Sequence, residues 1–289
     1  MPYKLLLLFL SPILALSQPA SDIYLFNLSI KNGEPVVSGP VNITHRKGYD
    51  NQPFFHPRKP LIYYSSFNDS GRSDIKFYNF KTGQTKNLTL TNEREYSPTV
   101  TPDGKYISCI IQRDNGAQDL GKYPIEGGEP LVLINSLKVG YHVWIDKSNL
   151  LLFVLGDSGI NSLHHYNLDT REDKIIAVNP GRSLHRIPGT NTFSFVHKMS
   201  KDEWVIKRYD PQSGQTSSIT HTMAGREDIS WLKNEIILGS DGNRLFYFDT
   251  RSNSGWKPLQ MNSIDPAISG ITRLACNLAN TKLAVVANE

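Results

Sequence analysis

The sequence predicts an all-β protein, a six-bladed β-propeller whose N-terminal strands close the last blade. Three observations predict it. A strand-like segment ending in an aromatic residue recurs at Phe26, Tyr78, Tyr123, Tyr166, Tyr209 and Tyr247, in steps of 52, 45, 43, 43 and 38 residues. Each period has room for four short strands, and four strands in about 40–45 residues is the repeat of a propeller blade. The two ends then fit together. Residues 271–289 supply two strands and residues 21–48 supply two more, in all 47 residues, one blade's worth. Pairing the ends in one sheet leaves the ring without raw edges.

Taken in order, the chain opens with a secretory leader over residues 1–17. Lys4 gives its positive start, Leu5 to Leu16 its apolar run, and Ala15-Leu16-Ser17 a small-x-small cleavage pattern before Gln18. That run is about a dozen residues, short of the roughly 20 that cross a bilayer. No cysteine follows it to carry a lipid, and no later segment is apolar enough to span a membrane. The expectation is an exported protein, periplasmic or secreted, with residues 18–289 forming a single propeller domain. Of 289 residues, 272 then remain, about 45 for each of six blades.

The mature chain starts with the aromatic-ended strand Ile23–Leu28 and a fourth strand running through Val41–Thr44. Later copies of the aromatic-ended strand lead into turns such as Lys81-Thr82-Gly83-Gln84, Glu126-Gly127-Gly128-Glu129 and Gln212-Ser213-Gly214-Gln215. Glycine there supplies the left-handed backbone angles of a hairpin. A second family of segments precedes each of the last five copies by about 20 to 25 residues. Its sharpest member is Ser97-Pro98-Thr99-Val100-Thr101-Pro102-Asp103-Gly104-Lys105-Tyr106-Ile107, matched 45 residues earlier by the segment Gln52–Ile62. Weaker copies lie at Val143–Asp146, Arg186–Gly189, Ser230–Asn234 and Leu274–Leu283. Each leads into an apolar run (Leu61–Tyr64, Ile107–Ile111, Leu150–Leu155, Phe193–Val196, Ile236–Leu238, Leu283–Val286) of the kind that forms a strand buried on both faces. With 21 Gly and 17 Pro spread along the chain, long helices are not expected.

Composition narrows the function. Lys and Arg exceed Asp and Glu by 31 to 27, a net +4 that falls to +3 without Lys4, and this modest excess does not support a nucleic-acid partner. Cys109 and Cys276 sit in apolar segments of non-adjacent units and read as small buried hydrophobes, neither a bridge nor a zinc site. The triplets at Asn27, Asn42, Asn68 and Asn87 would matter only in a glycosylating host.

The segment from Ser97 to Ile107 resembles the S-P-D-G-x-x-I/L core of WD-like repeats in TolB-type propellers. As a motif the resemblance is strong in that blade and moderate around His56-Pro57-Arg58-Lys59; as architecture it covers the whole mature chain. It implies a TolB-like module that acts by binding partners at the mouth of its channel. TolB-type proteins also carry an N-terminal α/β domain, and here every residue after the leader is taken up by blade strands, which puts a part in an envelope-spanning machine in doubt.

In a propeller the innermost strands line the channel, and their starts converge on one rim. The polar residues at those starts are Asp50, Glu95, Tyr141, His142, His185, Asp228 and Arg273, from six separated stretches. Convergence of polar groups on a rigid scaffold makes them the candidate binding residues. His56, His142 and His185, with Asp50 or Asp228, are the only set that suggests a metal, and no two share a ligand spacing. No metal, cofactor or catalytic residue is predicted. There is no G-x-S-x-G elbow, and the Gly-rich stretches are hairpin turns that no helix follows. The first reading is an exported, non-catalytic propeller, expected to be monomeric, that binds a protein, peptide or glycan of the cell envelope at its rim. The alternative is a small metal-assisted hydrolase, lactonase or lyase using channel-facing His and carboxylates.

Overall fold

The computed structural model describes residues 19–157, 159–252, 254–261 and 268–289; the expected leader lies outside the described residues. All named elements are strands, and they form six sheets arranged as the blades of a ring. Blade I comprises Asp50–Phe55, Leu61–Phe67, Ser73–Asn79 and Gln84–Asn87. Blade II comprises Arg94–Val100, Tyr106–Gln112, Gln118–Pro124 and Leu131–Ile134. Blades III and IV run through Val139–Trp144, Asn149–Val154, Ser162–Asn167 and Asp173–Val178, then Pro180–Arg186, Phe193–Lys198, Trp204–Tyr209 and Thr216–His221. Blade V has Ser230–Leu232, Ile236–Ser240, Leu245–Asp249 and the two-residue Lys257–Pro258.

Blade VI is the closing one. Its inner strands Arg273–Cys276 and Lys282–Asn288 come from the C-terminal end, and its outer strands Ser21–Lys31 and Glu34–Asn42 from the N-terminal end. Ser21 pairs with Asn288, and the ladder runs antiparallel to Asn27 opposite Lys282. The outer strand of this blade begins earlier than the stretch through Val41–Thr44 expected from the sequence. Its start is set by the Asn32-Gly33 turn, with both residues at positive φ (51° and 84°), the arrangement that matches the twist of a two-residue hairpin. Gln260–Met261 then adds a fifth, parallel strand outside it.

The apolar runs behave as their composition requires. In blade II Ile107, Cys109 and Ile111 are 0 % exposed and Ile110 is 1 %, because the second strand has a blade packed against each face. Alternate residues therefore enter different cores. Ile107, Cys109 and Ile111 join Tyr63 and Ile75 of blade I, whereas Ile110 joins Leu150 and Leu152 of blade III. Six such cores occupy the six gaps between neighbouring blades. The gap from VI to I is filled like the others, by Ile23, Leu25, Ala284 and Val286 against Phe55, Ile62 and Tyr64. Neither cysteine is bridged; Cys109 is buried and Cys276 partly so. The Asp-Gly turn of blade II is fixed by Asp103, whose carboxylate accepts from Thr101 Oγ1 at 2.6 Å and the Lys105 N–H at 3.0 Å.

Candidate binding site at the channel mouth

The starts of the inner strands surround a cavity of about 400 Å3. Asn51 and Gln52 come from blade I, Tyr96 from II, Tyr141 from III, Arg182 from IV and Arg273 from VI. Tyr49, Gln112 and Gln118 add further polar groups to its wall. Its floor is an ion-pair network drawn from four blades. Arg273 Nη1 donates to Asp228 Oδ1, and Arg273 Nη2 donates to Tyr141 Oη at 3.0 Å. Arg182 Nη2 donates to the other oxygen of Asp228 at 2.8 Å, and its backbone N–H donates to Glu227 Oε2 at 2.9 Å. Lys198 Nζ reaches the same Glu227 oxygen at 3.0 Å.

Burial opposes charge on Asp228, Arg182 and Arg273, but the pairing outweighs it. Asp228 is held below the usual carboxylate range by Arg273 and Arg182 despite its desolvation. Arg273, desolvated as well, is held above its ordinary value by Asp228 and by the Tyr141 and Tyr49 hydroxyls. Burial pushes the Tyr49 phenol up. The Arg182–Asp228–Arg273 cluster is thus ionised and fixed, because breaking a buried pair strands the partner charge.

Beneath the network lies a smaller cavity of about 130 Å3, lined by Ser97, His142, Ser183 and His185. His142 Nε2 is 2.7 Å from Ser108 Oγ, and His185 Nε2 is 2.8 Å from Ser183 Oγ. Burial lowers the two imidazoles to about 3 and about 4, so both are neutral at physiological pH. To one side the mouth continues into a groove of about 680 Å3 between blades III and IV. Tyr141, Phe153, Leu155 and Arg182 line both spaces. Trp204 lies farther along the groove, with Lys198 Nζ 4.3 Å from its ring centroid.

The seven candidates therefore divide. Tyr141, Asp228 and Arg273 meet at the floor of the mouth, and His142 and His185 line the cavity below it. Asp50 and Glu95 line neither and correct the sequence expectation. Asp50 is 0 % exposed and paired with Arg46, whose Nε is 3.0 Å from Oδ2. Glu95, also 0 % exposed, accepts from Tyr123 Oη at 2.9 Å and from the Thr91 and Thr89 hydroxyls. Both carboxyls are pushed upward, chiefly by burial; they tie strands and blades together rather than facing the channel. His56 is also elsewhere, its Nδ1 capping the turn N–H groups of Arg58 and Lys59 at 3.0 Å each. Among the described residues no three His, Cys, Asp or Glu side chains form a group that could hold a metal ion.

Sequence reasoning missed Arg182. The register of blade IV shifts between Pro180 and Leu184, and the extra residues carry Arg182, not His185, to the mouth. Gly181 is needed beside it, since a Cβ there would lie 2.7 Å from Glu227 Oε2 and 2.9 Å from Val196 Cβ. The repeat held a signal: stepping back 45 residues from Arg273 to Asp228, and once more, arrives at Ser183, next to Arg182.

No protein-family model matches the chain, and no curated protein matches it. Solved structures do. A putative TolB from Agrobacterium tumefaciens superposes with a TM-score of 0.70 at 12% identity, over 93% of this chain and 98% of that one. TolB from Acinetobacter baumannii gives 0.61 at 13%, over 93% of this chain and 64% of its own. An oligogalacturonate lyase in complex with manganese gives 0.59 at 12%, over 89% and 83%. At such identities the likeness is one of architecture, shared by TolB proteins and a lyase alike, and it does not carry a function. In fold, this chain is a six-bladed β-propeller of the TolB-like kind.

Proposed function

We propose that the protein is an exported propeller that binds a protein, peptide or glycan of the cell envelope at its channel mouth, by recognition and not by turnover there. The observation that carries this reading is the Tyr141–Arg182–Asp228–Arg273 floor beneath a cavity of about 400 Å3. A concave space with a few fixed polar groups orients a ligand without first having to be ordered itself. Tyrosine rings, glutamine amides and guanidinium N–H groups suit a protruding loop or a short glycan, and the side groove gives room for the partner to continue outward. The metal-assisted alternative loses support because its donors are already engaged: His56 in a turn, Asp50 with Arg46, Asp228 with two arginines, and His142 and His185 each with a serine hydroxyl.

A photo-cross-linking residue in place of Gln112, at the mouth, tests this against the same residue in place of Gln84, on the exposed outer strand of blade I. In intact envelopes the mouth position is expected to give one discrete adduct, reduced about tenfold by Tyr96→Ala, a loss of roughly 1.4 kcal/mol typical of a buried aromatic contact. The same adduct from both positions, or one indifferent to Tyr96→Ala in a protein with unchanged melting, would move the site off the mouth.

A further inference from the structure

Blade III carries a second constellation that belongs to neither cavity nor the groove. Ser162 and His164 stand two residues apart on the third strand, hence on the same face. Asp173, on the outer strand, pairs with Tyr166, the next residue on that face. His164 Nε2 lies 2.7 Å from Ser162 Oγ, and His164 Nδ1 lies 2.6 Å from Asp173 Oδ1. An ionised carboxylate can only accept, so the imidazole proton sits on Nδ1 and Nε2 is left to accept from the serine hydroxyl. That is the arrangement that activates a serine: a base on the nucleophile's proton and a carboxylate holding the base in the right tautomer. His164 is 6 % exposed, while the Asp173 side chain is 30 % exposed, so the base is shielded at a place that remains open on one side.

We propose that Ser162 is a nucleophile for acyl transfer, with His164 as its base and Asp173 as a positioning residue, acting on carboxylic esters of short apolar acids. Val178 pairs directly with Ser162 and Ile175 with His164, and these two apolar side chains are 53 % and 60 % exposed. They form the shoulder against which an apolar acyl group would rest. In the first step the Ser162 proton passes to His164 Nε2 as the Oγ–carbon bond forms. Collapse of the tetrahedral intermediate breaks the ester C–O bond, and the departing alcohol takes the proton from Nε2. Water then attacks the acyl-serine through the same base, releasing the acid and restoring the hydroxyl.

The test is covalent labelling of the full chain with an alkyl fluorophosphonate, in which the Ser162 Oγ–P bond forms as fluoride leaves, followed by peptide mapping. The expected result is one adduct, on Ser162, absent after heat denaturation and absent in Ser162→Ala. His164→Gln is expected to slow labelling at least about a hundredfold, the scale on which a general base contributes. Asp173→Asn should slow it, with partial recovery in Asp173→Glu, which a merely structural contact would not give. Hydrolysis of a nitrophenyl butyrate ester should follow the same order across the variants. No adduct on Ser162 in the native protein, or one that survives unfolding, overturns the proposal, and that comparison needs only the wild-type chain should a variant not fold.

Discussion

His142 shows how a single channel-facing residue couples the site to stability. Its ring is 7 % exposed, and burial lowers its pKa from 6.5 to about 3. As pH falls below 6.5 the unfolded chain takes up a proton that the folded chain refuses, so stability falls with pH. The loss is at most about 1.4 kcal/mol per pH unit, between about pH 6 and pH 4. Asp50 and Glu95, pushed upward by burial, act in the opposite sense: the folded state takes up their protons before the unfolded chain does, and their contribution to stability rises as pH falls. A comparison of variants separates the two. His142→Gln is expected to flatten the urea-derived stability profile between pH 6 and 4 by about 1 kcal/mol per unit relative to wild type, and parallel profiles would show that the ring is charged or solvated. The same scale explains which residues of the candidate site were legible. Tyr141, Asp228 and Arg273 follow from counting repeats. Glu95 stood in for Tyr96 because neighbours on a strand face opposite ways, so a one-residue slip exchanges a channel-lining side chain for an interblade one. Residue type could not correct this, since a carboxylate suits a rim as well as it suits a buried cluster of hydroxyls.

Strands are joined across blades by polar latches as well as by apolar cores. Trp231 Nε1, on the inner strand of blade V, donates to Ser194 Oγ on the second strand of blade IV at 2.7 Å. Trp144 of blade III makes the same contact with Ser108 of blade II at 2.8 Å. Ser194 is 0 % exposed and Trp231 is 6 %, so Ser194→Ala leaves a buried indole N–H without its partner. The cost should be about 1–3 kcal/mol, read as a lower urea midpoint at unchanged slope. A cycle with Trp231→Phe should show coupling, because once the donor is gone the serine has little left to do; additive effects would mean that the hydrogen bond contributes nothing. At this scale the second strands were legible from unbroken apolar runs bounded by turn residues. Gln260–Met261 was not, since two residues carry no period and their pairing with Val36 and Val37 joins parts of the chain more than 220 residues apart. The bulge at Pro180–Leu184 was hidden for the same reason: it is a property of the pairing, not of the local pattern.

The ring as a whole depends on blade VI, where two distant ends of the chain share one sheet. The sequence revealed this through arithmetic, and the packing shows its consequence, since the VI-to-I gap holds a core like the other five. A closed ring of six cores has no blade that can open without exposing two of them, so local damage should be felt everywhere. Val286 is 0 % exposed in the closing core, and Val286→Ala should cost about 2 kcal/mol in lost burial and residual cavity. The four tryptophans at positions 144, 204, 231 and 256 all lie in blades III to V, none of them in the VI-to-I core that the substitution damages. Far-UV circular dichroism reports every blade, whereas tryptophan fluorescence reports only blades III to V. Coincident transitions by different probes are the mark of all-or-none unfolding. Both signals of Val286→Ala are therefore expected to move to lower temperature together and by the same amount. A fluorescence transition left at the wild-type temperature, with an earlier step in circular dichroism, would mean that the closing blade opens alone. The channel floor would then be the first part of the site lost, because Arg273 sits in blade VI while its partners Asp228 and Tyr141 belong to the blades that stayed folded.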